Sequence, residues 1–350
     1  MKLRNILLGG AAALTLASGS AFAQEVTLKL HQFLPPQATV PSQILDVWAD
    51  EVEKDSDGRI KVERYPSMQL GGSPTELMDQ AIDGVADVVW TVVGYTPGRY
   101  PRTEVFELPF TMTNAEDVSC AYWKLFDEEI REAEFPNVHI VGTWVHGPGL
   151  LHSSRPVRAV SDMQGLKVRG ASRTVTDLMD EFGATSVGMP LPAVPEALSK
   201  GVIEATTIPW EVTGSLKVPE LVTNHTEFGE NALYTVTFVL AMNKAKYDAL
   251  PDDLKKVIDD NSGLQLSKFA GRVMQDADAP ARKAAEERGN TIITLSEDEV
   301  AAWREAAKPV RDRWMASMKE RGIDGEALAE KAAATIEQCA GEPRSTYPEG

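Results

Sequence analysis

Strands alternate with helices through the first third of the chain, and this alternation restricts the fold more than any other feature. We predict strands at Val26–Phe33, Ile60–Tyr65 and Val85–Val93, the first with alternating apolar and polar residues. Two segments between them, Pro41–Lys54 and Thr75–Asp83, are predicted to be helical. Such alternation is typical of a mainly parallel sheet covered by helices. The chain is therefore predicted to have an α/β fold.

A strand is also predicted at Val138–Val145, and a second α/β series begins near Gly147. It comprises the strand Leu166–Arg169, the helix Val175–Phe182, the strand Ser186–Gly188, the helix Val194–Lys200 and the strand Ile203–Ile208. Two α/β units joined by crossing segments leave a cleft between them, a favoured place for a small-molecule site. Hinges at the crossings allow closure around a ligand.

The predicted lobes are built from non-contiguous segments. Residues 24–147 and 235–275 are assigned to the first lobe, and residues 148–234 and 276–350, with the C-terminal helices and tail, to the second. The apolar, β-branched segment Leu233–Met242 is expected to cross back between them. The residues after Gly341 are predicted to form a loose tail.

Residues 1–23 have the pattern of a secretory signal peptide. A basic start is followed by the apolar run Ile6–Ala17 and by the small-residue cleavage signal Ala21-Phe22-Ala23. The run is shorter than the roughly 20 apolar residues that a membrane span needs. We expect a mature periplasmic protein that begins near Gln24; an uncleaved amphipathic anchor is the alternative.

The formal net charge of −17 narrows the choice of partners. An acidic surface argues against nucleic acid and anionic lipid. It does not exclude an anionic ligand, because a local cation outweighs distant, screened charges.

One arginine ends a predicted strand, in the run Gly165-Leu166-Lys167-Val168-Arg169-Gly170. Ligands of open α/β sheets bind at the carboxyl ends of strands, and a guanidinium presents a planar fork of donors suited to a carboxylate. The alternative is an ordinary ion pair at the surface. We interpret Arg169 as the group that binds a small organic acid.

The sequence predicts no metal, cofactor or catalytic centre. The five histidines lack metal-ligand spacing, and neither a nucleophile elbow nor a His-Glu-x-x-His helix is present. Cys120 and Cys339 are the two cysteines. Export permits a disulfide between them, and the sequence leaves the pairing open.

Six motifs in a fixed order are similar to those of one family. They are YPSMQLG (65–71), AIDGVAD (81–87), ELPF (107–110), GLKVR (165–169), GAT (183–185) and PAVPEAL followed by GVIE (192–204). From Val26 to Trp303 the chain resembles the solute-binding proteins of TRAP (tripartite ATP-independent periplasmic) transporters, the DctP family. The resemblance implies two α/β lobes with a long connecting helix, closure on a ligand whose carboxylate pairs with Arg169, and delivery to membrane subunits driven by an ion gradient.

The chain departs from the family where many relatives have a ligand-binding asparagine, because Ile208 stands at that place. An apolar residue there, with Trp210 close by, favours a less polar ligand. We therefore predict an aromatic or branched monocarboxylate rather than a dicarboxylate or sialic acid.

Further candidates for ligand contact lie at strand ends and in the connections that follow them. They are Trp90, Tyr95, Trp144, His146, Trp210, Glu211, Phe33 and Gln69. Aromatic side chains would form walls against a planar ligand, and Glu211 would accept a ligand hydroxyl or hold a cation. The alternatives are core or hinge packing for the aromatic residues and a surface position for Glu211.

The function predicted from the sequence is capture of a small carboxylate and its delivery to a TRAP-type membrane transporter. An exported lyase or hydrolase for small acids is one alternative, and it would need an acid–base pair or an activated nucleophile. A ligand-sensing module with the same cleft is another. The oligomeric state and a co-bound cation stay open.

Overall fold

The computed structural model describes residues 24–229 and 232–348, so the predicted signal peptide lies outside the described residues. The described residues form eleven strands: β1 (Val26–His31), β2 (Ile60–Tyr65), β3 (Val88–Val92), β4 (Val138–Val145), β5 (Leu150–Ser153), β6 (Lys167–Gly170), β7 (Thr185–Gly188), β8 (Ala205–Ile208), β9 (Asn224–Glu227), β10 (Thr237–Asn243) and β11 (Thr291–Thr294). None of the helices in these ranges has the length and apolar character needed to cross a membrane.

Helices cover both faces of the sheets. They are α1 (Asp46–Asp55), α2 (Leu77–Ile82), α3 (Ala115–Leu125), α4 (Arg131–Glu134), α5 (Arg173–Glu181), α6 (Val194–Ser199), α7 (Val218–Leu221), α8 (Lys244–Asp248), α9 (Asp252–Asp260), α10 (Leu264–Asp276), α11 (Asp278–Glu287), α12 (Glu297–Glu320) and α13 (Gly325–Ala340). Wider π-helical turns at Pro41–Leu45 and Phe126–Ile130 adjoin α1 and α3. A 3₁₀ turn at Thr103–Glu107 lies between β3 and α3.

The strands form two sheets, one in each lobe, which confirms the two-lobed α/β fold. The first sheet has the order β2-β1-β3-β10-β4 and the second the order β11-β9-β5-β8-β6-β7. Both sheets are mixed, because β10 runs antiparallel to β3 and β4 and β5 runs antiparallel to β8 and β9. The expectation of mainly parallel sheets is confirmed with one exception in each sheet: β5 and β10, which the chain forms directly after crossing between lobes, run against the other strands.

Several predicted strands have the observed bounds, and two strands were not predicted. β2 and β4 match their predictions residue for residue. β5 and β9 are four-residue strands with polar side chains such as His152 and His225, so they lack an apolar pattern. Within Leu233–Met242 only the part from Thr237 onward is strand, and the residues before it form the crossing.

The C-terminal helix and tail differ from their predicted placement. The 24-residue helix α12 begins at a capping box formed by Ser296 and Glu299 and leads back toward the first lobe. There α13 packs on α3, and a disulfide joins Cys120 to Cys339 with 6.0 Å between their Cα atoms. The tail is ordered against the same lobe, since Ser345 N donates to Glu116 Oε1 at 2.6 Å. The chain from α13 onward therefore packs on the first lobe, and the predicted loose tail is wrong.

Candidate functional site

A small cavity of about 30 Å³ lies between the two lobes. The first lobe contributes strand residues such as Trp90 and Val92, and the second contributes the ends of β6 and β8. Tyr234 and Val236 come from the segment that crosses between the lobes. The surrounding wall is mostly apolar, so a polar side chain in it stands out.

The two lobes are in contact beside this cavity. Arg173 Nη2 of the second lobe lies 2.5 Å from Glu104 Oε2 of the first. Gly94 lies so near Ser172 that a Cβ atom added to it would come within 2.5 Å of Ser172 Cβ. The buried apolar residues of both lobes also form one continuous cluster. The arrangement described is therefore a closed one.

Arg169 enters the cavity from the carboxyl end of β6 and is only 3% exposed. Its Nε donates to the Met189 carbonyl at 3.0 Å and its Nη1 donates to the Thr207 carbonyl at 2.9 Å. These two bonds use two of the five N–H groups of a guanidinium. No Asp or Glu of the described residues forms an ion pair with it. A buried charge without a counterion is costly, so Arg169 is suited to an anion from outside.

The backbone next to Arg169 requires glycine. A Cβ atom at Gly170 would lie 2.8 Å from Thr176 Cα, closer than real Cβ contacts. Gly170 thus allows α5 to pack directly against the end of β6. This close packing holds the strand end that carries the arginine.

Three polar aromatic side chains lie near the guanidinium. The Tyr95 hydroxyl accepts a hydrogen bond from Leu191 N at 2.9 Å. The Tyr234 hydroxyl is buried and has no partner among the described residues, and burial raises its pKa well above the ordinary value. His146 Nδ1 bonds the Gly147 carbonyl at 2.5 Å. Burial, with Arg169 nearby, lowers the pKa of His146 to about 4. The imidazole is therefore neutral at pH 7, with its proton on Nδ1.

Aromatic rings form one wall of the cavity. Trp90 stacks on Phe238 with 5.3 Å between ring centroids and an interplanar angle of 17°. On its other side Trp90 stacks on Phe33 at 4.6 Å. All three rings belong to the first lobe, but only Trp90 and Phe238 line the cavity, and Phe33 supports Trp90 from outside it. An aromatic wall of this kind suits a flat, apolar ligand.

Glu211 lies in the cavity wall and has Asp278 as its neighbour. Its backbone N–H donates to Asp278 Oδ1 at 2.8 Å, while its own carboxyl atom Oε1 is buried without a partner. Burial and the nearby Asp278 raise the pKa of Glu211 to about 8. Burial likewise raises the pKa of Asp278 to about 7. Gly147 makes room for this pair, because a Cβ atom there would lie 2.0 Å from Asp278 Oδ2.

Six of the residues singled out from the sequence line the cavity. They are Arg169, Trp90, Tyr95, His146, Ile208 and Glu211. They come from both lobes and from the crossing after β4, so the fold brings together residues that are far apart in sequence.

Four of the residues predicted to contact the ligand lie outside the cavity wall. Phe33 lies behind Trp90, and Gln69 is exposed. Trp144 is buried on the same face of β4 as Gly142, which contacts Leu266 of α10.

Trp210, the fourth, packs edge-on against His152. Its Nε1 donates to Glu227 Oε1 at 2.8 Å. It belongs to a small apolar cluster with Leu150 and Ala285 rather than to the cavity.

Two aromatic residues of the wall were missed in the sequence. Tyr234 and Phe238 line the cavity together with Val236 between them. Their i, i+2, i+4 spacing places them on one face of an extended segment. That spacing could have indicated a shared wall for a ligand, but the segment was interpreted only as a strand that crosses between the lobes.

One group of side chains in the described residues has metal-ligand types close together: Cys120, Cys339 and Glu342. Both sulfur atoms are used in the disulfide, so neither offers a thiolate. Arg169, His146 and Glu211 are in the separate cavity described above.

Residues 31–318 match the sequence model of a family described as bacterial extracellular solute-binding protein, family 7. The crystal structure of a TRAP solute-binding protein from Rhodoferax ferrireducens, in complex with copurified benzoate, is similar over 90% of this chain and 98% of that one, with 50% identity and a TM-score of 0.88. A marine metagenome TRAP protein specific for aromatic acid ligands, in complex with 3-hydroxybenzoate, is similar over 90% and 99% of the two chains, with 43% identity and a TM-score of 0.88. The C4-dicarboxylate-binding periplasmic protein DctP of Rhodobacter capsulatus is 28% identical over 96% of this chain and all of its own length.

Proposed function

The chain belongs to family 7 of the bacterial extracellular solute-binding proteins, and from this premise we propose that it captures an aromatic monocarboxylate between its lobes. The ligand carboxylate contacts Arg169, and the ring lies against the aromatic wall formed by Trp90 and Phe238. The protein then delivers the acid to the membrane subunits of a TRAP transporter. Residues 1–23 direct its export to the periplasm.

The observation that carries this proposal is a buried arginine that faces an apolar cavity and has no carboxylate partner within residues 24–229 and 232–348. A ligand carboxylate supplies the missing counterion and accepts two hydrogen bonds from the guanidinium fork. Two similar proteins of known structure contain benzoate and 3-hydroxybenzoate, which supports an aromatic acid as the ligand.

The cavity disfavours a dicarboxylate. Arg169 is its one permanent cation among the described lining residues, and His146 is neutral at pH 7. A second carboxylate would be buried without a cation to pair with, which costs several kcal/mol in free energy. Ile208, in the position where many relatives have asparagine, adds to the apolar character.

Thermal unfolding of the mature chain, residues 24–350, with and without acids tests the proposal. Benzoate at about 100 times its Kd is expected to add about 2.7 kcal/mol to the free energy of unfolding, because it binds only the folded state. Succinate at the same concentration is expected to leave the melting temperature unchanged. Stabilisation by succinate but not by benzoate would refute the proposed ligand class. Mass spectrometry of recovered benzoate should return it unaltered, whereas a lyase or hydrolase would change its substrate.

A further inference from the structure

A buried carboxyl group stands at a second place in the cavity wall. Glu211 is 7% exposed, lines the same cavity as Arg169, and has no hydrogen-bond partner at Oε1 among the described residues. An unsatisfied buried polar atom costs about 1–3 kcal/mol. The closed form therefore leaves this polar position in the wall open for a ligand group, as it does the Tyr234 hydroxyl.

Glu211 and Arg169 have different neighbours. Arg169 bonds the carbonyls of Met189 and Thr207. Glu211 N donates to Asp278 Oδ1 at the start of α11, so Arg169 and Glu211 are held by different elements of the second lobe. A ligand held at Arg169 by its carboxylate extends its other end toward Glu211.

The protonation state of Glu211 sets what it can bind. Burial and the charge of Asp278 raise its pKa to about 8, while the Thr39 hydroxyl acts in the opposite direction. The carboxyl is therefore mainly protonated at pH 7 and can both donate and accept a hydrogen bond. A hydroxyl on the ligand matches this group, whereas an unsubstituted ring leaves Oε1 without a partner.

We propose that Glu211 selects aromatic monocarboxylates that carry a ring hydroxyl, by hydrogen bonding this hydroxyl while the carboxylate contacts Arg169. The inference rests on the proposed function and narrows its substrate class. It makes Glu211 a specificity-determining residue of the cavity.

Calorimetric titration of the mature chain at pH 7 with benzoate, 3-hydroxybenzoate and 4-hydroxybenzoate tests this proposal. At least one hydroxybenzoate is expected to bind about fivefold or more tightly than benzoate, the factor that one net hydrogen bond supplies. The position of the preferred hydroxyl then reports where Glu211 lies relative to the bound ring.

Two substitutions separate hydrogen bonding from shape. Glu211→Met keeps the length of the side chain but removes both oxygen atoms, so the preference should disappear while benzoate still binds. Glu211→Gln keeps a donor and an acceptor, so the ratio of its affinities for the preferred hydroxybenzoate and for benzoate should stay within about twofold of the wild-type ratio. Glu196→Gln, on the exposed surface of α6, is the matched control and should leave all three affinities unchanged. Melting temperatures without ligand show that each variant is folded.

Equal affinity of the wild-type chain for benzoate and both hydroxybenzoates would overturn the proposal. So would a Glu211→Met chain that keeps the wild-type preference. In both cases benzoate binding leaves the proposed function standing. If none of the three acids binds to wild type, the proposed function itself fails, and this inference fails with it.

Discussion

Replacement of Arg169 tests the proposed site most directly. In Arg169→Met the side chain keeps much of its apolar length but loses the guanidinium. Because Arg169 is 3% exposed and has no acidic partner among the described residues, the ligand carboxylate would then be buried without a cation. We therefore expect the variant to bind benzoate far more weakly than wild type.

The magnitude follows from the hydrogen bonds of the guanidinium. Two of its N–H groups are used by Met189 and Thr207, which leaves enough donors for a two-point contact with a carboxylate. Removing one partner of such a buried, hydrogen-bonded pair costs about 2–5 kcal/mol in binding free energy. This corresponds to a Kd about 30- to 4,000-fold higher. Arg169→Lys should recover only part of the loss, because an ammonium lacks the planar fork.

Calorimetric titration with benzoate measures this change, and denaturation without ligand checks the fold. Arg155→Met is a matched control, since Arg155 is exposed and donates to the carbonyl of Asp162 at 3.0 Å. Its affinity for benzoate should equal that of wild type. An Arg169→Met chain that is folded and binds benzoate with unchanged Kd would refute the role assigned to the arginine.

Three further outcomes are expected. Burial raises the pKa of Glu107 to about 7. The contribution of the protonated Glu107 to the free energy of unfolding is therefore complete below about pH 4.5, and this contribution, about 3 kcal/mol at most, is lost as the pH rises through 7. Urea denaturation of Glu107→Gln between pH 5 and 8 should show a smaller decline of this free energy than wild type. An equal decline in the two chains would contradict this. Reduction of the Cys120–Cys339 disulfide should lower the free energy of unfolding by about 2–5 kcal/mol, with no effect of reductant on the Cys120→Ser, Cys339→Ser double variant. Tyr234→Phe should weaken benzoate binding about fivefold without lowering the melting temperature of the ligand-free chain, because its buried hydroxyl has no hydrogen-bond partner there among the described residues. Unchanged affinity would place the hydroxyl outside the ligand contact.

The sequence predicted best what local pattern and family motifs determine. β2 and β4 have strong apolar patterns, and their bounds were correct. Arg169 was predicted to be a site residue because it lies in a family motif at a strand end. Its burial and its bonds to Met189 and Thr207 could not be predicted, since they depend on loops from distant parts of the chain.

Which part of a sheet face lines the cavity was harder to predict. Trp90 and Trp144 lie on the same face of the first sheet, because Trp90 shares its face with Val92, and both Val92 and Trp144 pair with Phe238. Only Trp90 lines the cavity, since α10 covers the part of that face around Trp144 and Gly142. The pattern of a strand does not show which part of it a helix from elsewhere in the chain covers. The contacts that hold Trp210, with His152 and Glu227, likewise come from other strands.

The position of β10 has a consequence for how the chain is made. This strand lies between β3 and β4, although it follows the whole of β5–β9 in sequence. A ribosome that has released only the first 230 residues has therefore produced a first sheet with a central gap. Both strands beside that gap have unpaired edges, so the first lobe cannot be finished before strands β5–β9 of the second have been made. We expect fragments that end before Thr237 to stay unfolded, and maturation of the whole molecule to wait for the final third of its synthesis.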